Sequence, residues 1–486
     1  MARWRATPCA LAATLLAGTA AADEFPVRFL SESWVDGYFR SPAEPLFGPP
    51  ADRTPVLLNQ RLWAGLDMAL APGLAIGFDG YLAATLPDTL RGVVTEPGDR
   101  SLRAHRADVT RLMLRVESAD ADLIVGRAPL EVGLGDLYRP TDRFEARNLA
   151  NPVHPMRMGA WQATLQVPLG PTDTLTLSVL PFDDRGAQPG PGSRWRGAIG
   201  DADFYDFPGF AFLADPAIVA LADLRFEDRF RTRFLQDWGW LAMVRGERSG
   251  GDFQIGAHIG PGAFPTLEVR GRAAPTLTGA PQITVTKVLP TAATLFAGGA
   301  LALDSARLTL EGLFQHTPGN RDDDFLRLTA GVTLRLEDVA DALGLRDVGL
   351  SGQYAREIVT RRMTSTALPF DASALQGVPS LLLPTLVNIA LAQPASVRVS
   401  SESARANRDT LIGELRLVVD AWTTIRARGA YNFDDGDRAL SVAMEHRLGD
   451  ATTLEGAIFL IDGRVGSPFG RFDRNDGVFV GVRHRF

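Results

Sequence analysis

Residues 326–336 read LRLTAGVTLRL: Leu326, Leu328, Ala330, Val332, Leu334 and Leu336 share one parity, and Arg327, Thr329, Gly331, Thr333 and Arg335 share the other. Successive side chains of a β-strand point to opposite faces, so this stretch forms an extended ribbon with one apolar and one polar face. It exceeds the ~5 to 6 residues usual for globular strands and matches the ~9 to 11 that cross a bilayer with tilt. The same alternation recurs upstream, where Leu58, Leu62, Leu66 and Leu70 oppose Asn59, Arg61 and Asp67, and downstream, where Leu411, Leu415 and Val419 oppose Glu414, Arg416 and Asp420.

Working outward, comparable segments lie near 27–39, 72–84, 106–118, 120–127, 157–167, 171–180, 234–246, 250–260, 292–303, 304–316, 346–360, 422–433, 438–448, 451–462 and 476–486. Two weaker ones sit at 264–273 and 280–289. The reading is an all-β chain folded as a single transmembrane antiparallel β-barrel of about 18 to 20 strands. Tight connections at Ala71-Pro72-Gly73, Asp304-Ser305, Ala421 and Gly449-Asp450 alternate with long ones at 40–54, 85–105, 128–156, 181–233 and 361–407. That is the asymmetry of short periplasmic turns and long extracellular loops. Strand length is what separates this reading from a soluble sandwich or solenoid.

Composition narrows the class further. The 486 residues hold one cysteine, Cys9, with 45% hydrophobic and 22% charged residues, and mean hydropathy is +0.00. This excludes a disordered chain, a disulfide scaffold and a bundle of membrane helices. A net charge of −7 argues against a nucleic-acid binder, and no nucleic acid is expected as a partner. Lys287 is the one lysine, so nearly all of the basic residues are arginine.

Residues 1–22 read as a secretory signal peptide, with Arg3 and Arg5 in a basic start, an apolar run from Ala10 to Gly18, and Ala20-Ala21-Ala22 before Asp23. Residues 23–486 then form the barrel, cysteine-free after cleavage. At the other end Phe486, Val482, Val480 and Val478 share a face, opposite Arg485 and Arg483. A terminal Phe on such a strand resembles the signal by which outer-membrane proteins are handed to the barrel-assembly machinery, with His484 departing from the apolar residue usual there. Tyr431 and Phe314 fall on the same apolar parity at the outer strand ends and Phe486 at the inner end, as two aromatic girdles require.

One internal segment stands apart. Gly126-Arg127-Ala128-Pro129-Leu130-Glu131-Val132-Gly133-Leu134-Gly135-Asp136-Leu137-Tyr138-Arg139-Pro140-Thr141-Asp142 follows a strand and opens a long loop, and Val179-Leu180-Pro181-Phe182 comes two strands later. This is similar to the G-R-x5-G-x-G…P-x-D segment of alginate-export-like porins and related outer-membrane proteins. The resemblance implies passage of a solute through the lumen. Gly126, Gly133 and Gly135 are expected to permit a tight inward fold of the loop rather than to touch a ligand, and no βαβ unit follows that would make them a nucleotide fingerprint.

Parity also assigns the lumen. Arg61, Arg111, Arg115, Arg307, Arg327, Arg335, Arg416, Arg426, Arg428, Arg447, Arg483 and Arg485 point inward, with Asp67, Asp79, Glu117, Glu311, Glu414, Glu445 and Glu455. A tight turn at Ala421 sets Arg416 opposite Arg426 and Glu414 opposite Arg428; a hairpin closing at 433–438 sets Arg426 opposite Glu445. Two readings follow, a mutually neutralised wall or an arginine ladder for anions. Positions such as Thr329 and Thr333 are expected to be hydrated.

Two apolar stretches, 372–397 and 207–222, cannot stay spread in water. Pro379, Pro384 and Pro394 argue against a spanning helix in the first. Either it folds into the barrel mouth as a plug or it forms a greasy entrance. His105, His154, His258, His316, His446 and His484 are scattered without metal-ligand spacing, so no catalytic residue, cofactor or metal is expected. The Asp runs at 322–324, 434–437 and 473–477 suit turns, with calcium binding or bridging of lipopolysaccharide as the alternative.

The function expected from these observations is an outer-membrane channel, porin-like, for passive passage of polar, anionic or saccharide solutes. The alternatives are a transporter of hydrophobic or amphipathic small molecules, and a barrel enzyme or assembly and adhesion component. The expected partners are outer-membrane lipid and lipopolysaccharide, the barrel-assembly machinery and a small solute.

Overall fold

The computed structural model describes residues 27–44, 51–86, 93–94, 105–141, 144, 146–148, 151–181, 189, 193–196, 223–229, 237–364, 378–379, 382–392, 395–465 and 467–486. The expected signal peptide, the apolar stretch 207–222 and Asp142 lie outside these residues.

Eighteen strands close into one antiparallel barrel. In chain order they begin with Val27–Tyr38, Val56–Ala71, Leu74–Leu86, His105–Glu117, Asp122–Ala128 and Ala160–Pro168. Asp173–Leu180, Gly239–Arg248, Gly251–Pro261, Thr291–Ala302, Ala306–His316 and Asp324–Arg335 follow. Asp347–Arg361, Asp409–Val418, Thr423–Asn432, Arg438–Arg447, Thr452–Asp462 and Gly477–Arg485 complete it. Each pairs with its successor, and the first pairs with the last from Leu30↔Arg485 to Tyr38↔Gly477. Closure leaves no barrel strand with an open edge, the arrangement a backbone needs where water cannot satisfy it.

All eighteen firmly alternating segments form the barrel. The two weaker ones form strands as well, but outside it: Thr266–Arg272 and Gln282–Val288 make a hairpin between two barrel strands, so the strand number is 18 rather than 20. Asp223–Arg229 adds parallel to Gln282–Val288, and Ala395–Val399 adds antiparallel to Thr266–Arg272. Three long connections thus build a four-stranded sheet at one end of the barrel, the loop end. Leu267, Val269, Ile283, Val285 and Val397 are its buried apolar residues among those described, which is why the alternation there resembled a barrel strand.

At the opposite end the connections are short. Gly73 turns at φ +75, and a Cβ there would strike the Glu117 carbonyl oxygen, so only glycine fits this turn. One connection at this end is longer than the others: residues 336–346 carry the helix Glu337–Leu343.

The exterior confirms the apolar parity. Leu82, Leu295, Leu310 and Val480 are 60–65% exposed on the outer face, among many others. Phe39, Trp240, Tyr354, Tyr431 and Phe433 ring the loop end of this belt, and Phe29 and Phe486 mark the turn end. So large a contiguous apolar surface requires an apolar surrounding.

Arginine placed at Leu415 or Val442 on this belt is expected to cost ~2 to 4 kcal/mol, the range for a cation facing lipid near the midplane. Ser441→Arg, on the inner face of the same region and opposite Arg428, is expected to cost at most ~1 kcal/mol. Denaturant unfolding of the three variants in lipid vesicles measures the contrast; equal losses would reverse the inside–outside assignment.

Candidate functional site in the barrel lumen

The segment 126–142 folds inward. Gly126 sits at φ +123, and a Cβ there would strike the Leu112 carbonyl oxygen, so this glycine lets the chain leave the wall. Arg127 is buried and pins the loop base: it donates to the Gly159 carbonyl at 3.0 Å and to Asp108 Oδ1 at 3.2 Å, as well as to the Val109 carbonyl. It does not present its charge to the lumen.

Beyond this base the loop crosses to the far wall and hands its backbone N–H groups to inward-facing acceptors. Gln254 Oε1 accepts Gly133 N at 3.0 Å. Glu311 accepts Leu134 N and Gly135 N with one carboxylate oxygen and the Thr141 hydroxyl, at 2.8 Å, with the other. Gln353 Oε1 accepts Leu137 N at 3.2 Å and Tyr138 N at 2.9 Å. Asp136 pairs with Arg307 and accepts the Thr333 hydroxyl at 2.7 Å, and Arg327 donates to Tyr138 Oη at 2.8 Å. Gly133 and Gly135 lie where side chains would crowd Arg139, Thr141 and Tyr138, while Pro140 is buried. The three glycines thus sit where the loop's own backbone leaves no room for a side chain or turns at positive φ.

Apolar packing completes the docking. Leu130 and Val132 of the loop pack with Leu241, Met243, Phe296, Leu313 and Phe325, which project inward from the wall. This corrects the expectation that inner positions such as Thr329 are hydrated. Thr329, expected in water, is 2% exposed. The sequence signal was present, because those strands carry apolar residues on both parities, a pattern that fits burial on both faces.

A second part of the same connection reaches the seam of the barrel. Asp36, fully buried, accepts Asn59 Nδ2 at 2.9 Å and Asn151 Nδ2 at 3.0 Å and contacts His154 Nε2 at 3.2 Å. The His154 ring lies between Trp34 and Phe479, with centroids 4.6 and 4.4 Å away. Beside it is a cavity of about 230 Å³ lined by Glu32, Trp34, Arg61, Glu455, Phe479 and Arg483. Periodicity does not reveal Asp36 or His154, because their partners come from distant parts of the chain.

The arginines assigned to the lumen are mostly paired. Arg61 meets Glu32 at 3.1 Å, Arg111 meets Asp67 at 2.7 Å, and Arg115 meets Asp122 at 2.7 Å. Arg327 meets Glu357 at 2.7 Å, and Arg335 and Arg416 share Asp347 at 3.1 and 3.5 Å. Arg428 donates to Glu414 at 2.9 Å, and their residues are directly opposite as expected. Arg426 reaches Glu445 at 3.3 Å, but diagonally: the register sets Glu445 opposite Thr424 and Arg426 opposite Ala443. Arg447 forms no ion pair among the described residues and lines, with Arg335, Arg346, Arg416, Arg426 and Trp422, a cavity of about 380 Å³ at the turn end. The neutralised-wall reading therefore describes most of the set.

At the loop end a buried ion cluster ties the connection 362–408 to the wall. Arg405 donates to Glu357 at 2.7 Å, to Asp323 at 3.1 Å and to Ser401 at 2.7 Å, with its guanidinium 4.6 Å from the Phe325 ring centre. Burial pushes the neighbouring Asp322 carboxyl up, against the Ser401 hydrogen bonds and the Arg405 charge. The helix Leu383–Ala390 does not line the barrel wall. Its Asn388 donates to the Leu277 and Gly279 carbonyls at 2.9 and 2.8 Å, Leu391 lies against Gly271, and Leu382, Leu386 and Ile389 are exposed. The described part of this apolar stretch is thus a strut on the loop-end sheet.

No protein-family model matches the chain, and no curated protein matches it in sequence. Solved structures with a similar course include Pseudomonas aeruginosa OccD3 (OpdP), at 7% identity over 96% of this chain and 91% of that one, TM-score 0.44. Pseudomonas aeruginosa OccK5 (OpdH) aligns at 10% identity over 95% and 97% of the two chains, TM-score 0.47. A triple mutant of Rhodopseudomonas blastica porin aligns at 10% identity over 95% and 99%, TM-score 0.37. At such identities the matches fix no solute or partner, and the reading rests on this chain's own residues.

Glu311→Ala removes the acceptor for two backbone N–H groups and a hydroxyl in a buried site. A loss of at least ~2 kcal/mol is expected, since unsatisfied buried donors cost about 1 to 3 kcal/mol each. The variant should unfold at lower denaturant and admit protease at 130–141 in the folded barrel; unchanged protection of this segment would refute the anchor.

Proposed function

We propose that the chain is a porin-like channel of a Gram-negative outer membrane, passing polar small solutes passively, anionic or saccharide ones among them. The observation carrying this reading is a closed barrel whose outside is apolar and whose inside holds solvent-exposed, paired charges along Asp409–Val418, Thr423–Asn432 and Arg438–Arg447. A wall of this kind keeps water in contact with a passing solute, and fixed arginines offer bidentate donors to carboxylate, phosphate or hydroxyl groups. The resemblance of segment 126–142 to alginate-export-like porins supports the anionic or saccharide choice. The terminal strand, with Phe486 exposed and edge-to-face with His484, suits recognition by a barrel-assembly machinery.

A second reading, transport of hydrophobic or amphipathic molecules, is favoured by one feature, the exposed group Leu277, Leu382, Leu386 and Ile389 at the loop end. The polar reading is preferred because the exposed inward side chains Arg416, Arg426, Arg428 and Glu445 are charged.

Reconstituted in planar bilayers, the purified protein is expected to give discrete conductance steps with weak ion selectivity, because most of the wall charges are paired. Absence of any step from protein shown to be folded by heat-modifiable gel mobility would overturn the channel reading. Deleting 380–393 should then lower uptake of an amphipathic solute if the second reading holds, and leave it unchanged if the first does. Removal of Phe486 is expected to slow assembly without altering channels already formed, measured as the rate of appearance of the heat-modifiable form.

A further inference from the structure

The inner wall is not used equally around its circumference. Along one arc, from Ala160–Pro168 to Ala306–His316, the inward residues Thr164, Ser178, Met243, Gln254, Phe296 and Glu311 are all at most 5% exposed, and the inward loop packs on Met243 and Phe296 and bonds to Gln254 and Glu311. On the arc from Asp409–Val418 to Arg438–Arg447 the side chains of Arg416, Arg426, Arg428 and Glu445 are 44–54% exposed. The two docked parts of the loop flank this second arc. One ends on Gln353 and Thr333, the other on Asp36 and Phe479.

The register of charges on the open arc departs from that of a wall that only neutralises itself. Glu414 opposite Arg428, and Arg61 opposite Glu32 opposite Arg483, set opposite signs face to face. Between those rows Arg416 is directly opposite Arg426, and Glu445 is directly opposite Glu455. Like charges in direct cross-strand register destabilise a sheet, so these doublets do not serve its pairing. They are held from the flanks, Arg416 by Asp347 at 3.5 Å, Arg426 by Glu445 at 3.3 Å and Glu455 by Arg483 at 2.7 Å. The result is a basic pair beside an acidic pair on the hydrated side of the lumen.

We infer that solutes cross along this arc alone, off the barrel axis, and that the doublets Arg416/Arg426 and Glu445/Glu455 set the charge selectivity of the path. The inference rests on the channel reading and refines it to a route and four residues. The two doublets act in opposite directions, one drawing anions and the other cations, so their near balance conceals the contribution of each.

The test uses the full-length exported chain, whose one cysteine precedes the expected cleavage site. Ser441→Cys and Ala443→Cys lie on the open arc and Ser178→Cys on the covered one. In planar bilayers a charged methanethiosulfonate reagent should step down the conductance of the first two and leave the third unchanged. Separately, Arg416→Gln with Arg426→Gln should shift the reversal potential in a salt gradient toward cation preference, and Glu445→Gln with Glu455→Gln toward anion preference. Each shift should be at least a twofold change in permeability ratio. Block at Ser178→Cys equal to that at Ser441→Cys, or two double variants that conduct with unaltered reversal potential, would overturn the inference. Failure of the unmodified barrel to conduct would instead overturn the channel reading, which keeps the two failures apart.

Discussion

Everything in this molecule depends on closure of the strand ladder, Val27–Tyr38 against Gly477–Arg485. In an apolar surrounding each unpaired N–H or C=O costs several kcal/mol, so a sheet of this kind is stable there only without edges. Closure then divides side chains by parity alone. What faces out must tolerate lipid, and what faces in must share a confined space with water or with other protein. The long alternating strands, the tight turns at one end and the residues allowed to bear charge all follow from that division.

A barrel of 18 strands is too wide for its own inward side chains to fill. This chain covers part of the interior with a loop, and the chemistry of the docking is backbone to side chain. Gln254, Glu311 and Gln353 stand on three different strands and accept the N–H groups of one short segment. A segment with no ladder partner meets the requirement that buried backbone groups be hydrogen-bonded by borrowing acceptors from the wall. Apolar contact with Met243, Phe296 and Phe325 then adds the driving force. The same connection returns to the seam at Asp36 and His154, so one loop determines both which part of the wall is covered and which is left wet.

Arginine dominates the basic residues, and its role here is twofold. Buried, as in Arg127 and Arg405, it joins loops to wall through several donors at once, which a lysine ammonium could not do in the same planar geometry. On the open arc it stays hydrated and paired with carboxylates, keeping the lumen polar at little net charge. Parity could not separate these two uses. Arg127 and Arg428 both precede or follow apolar neighbours in alternation, yet one is sealed beneath the loop and the other stands in water.

The sequence by itself determined the parity of each strand, the all-β class, the alternation of long and short connections, and cross-strand partners as near in the chain as Glu414 and Arg428. These rest on period-two geometry and on short hairpins, whose register follows from turn length. The inward turn was legible too, because glycine marks backbone that other residues rarely adopt, as at Gly126 and Gly133, or a close approach, as at Gly135. Only the tertiary structure decided that 264–273 and 280–289 leave the barrel, that Thr329 is dry, that Arg426 meets Glu445 on the diagonal, and that the helix Leu383–Ala390 braces the loop-end sheet. Each depends on contacts between residues far apart in the chain, such as Gly133 with Gln254 or Leu134 with Glu311. Local alternation fixes the direction in which a side chain points, whereas what it meets there is set by how distant segments share the barrel's interior.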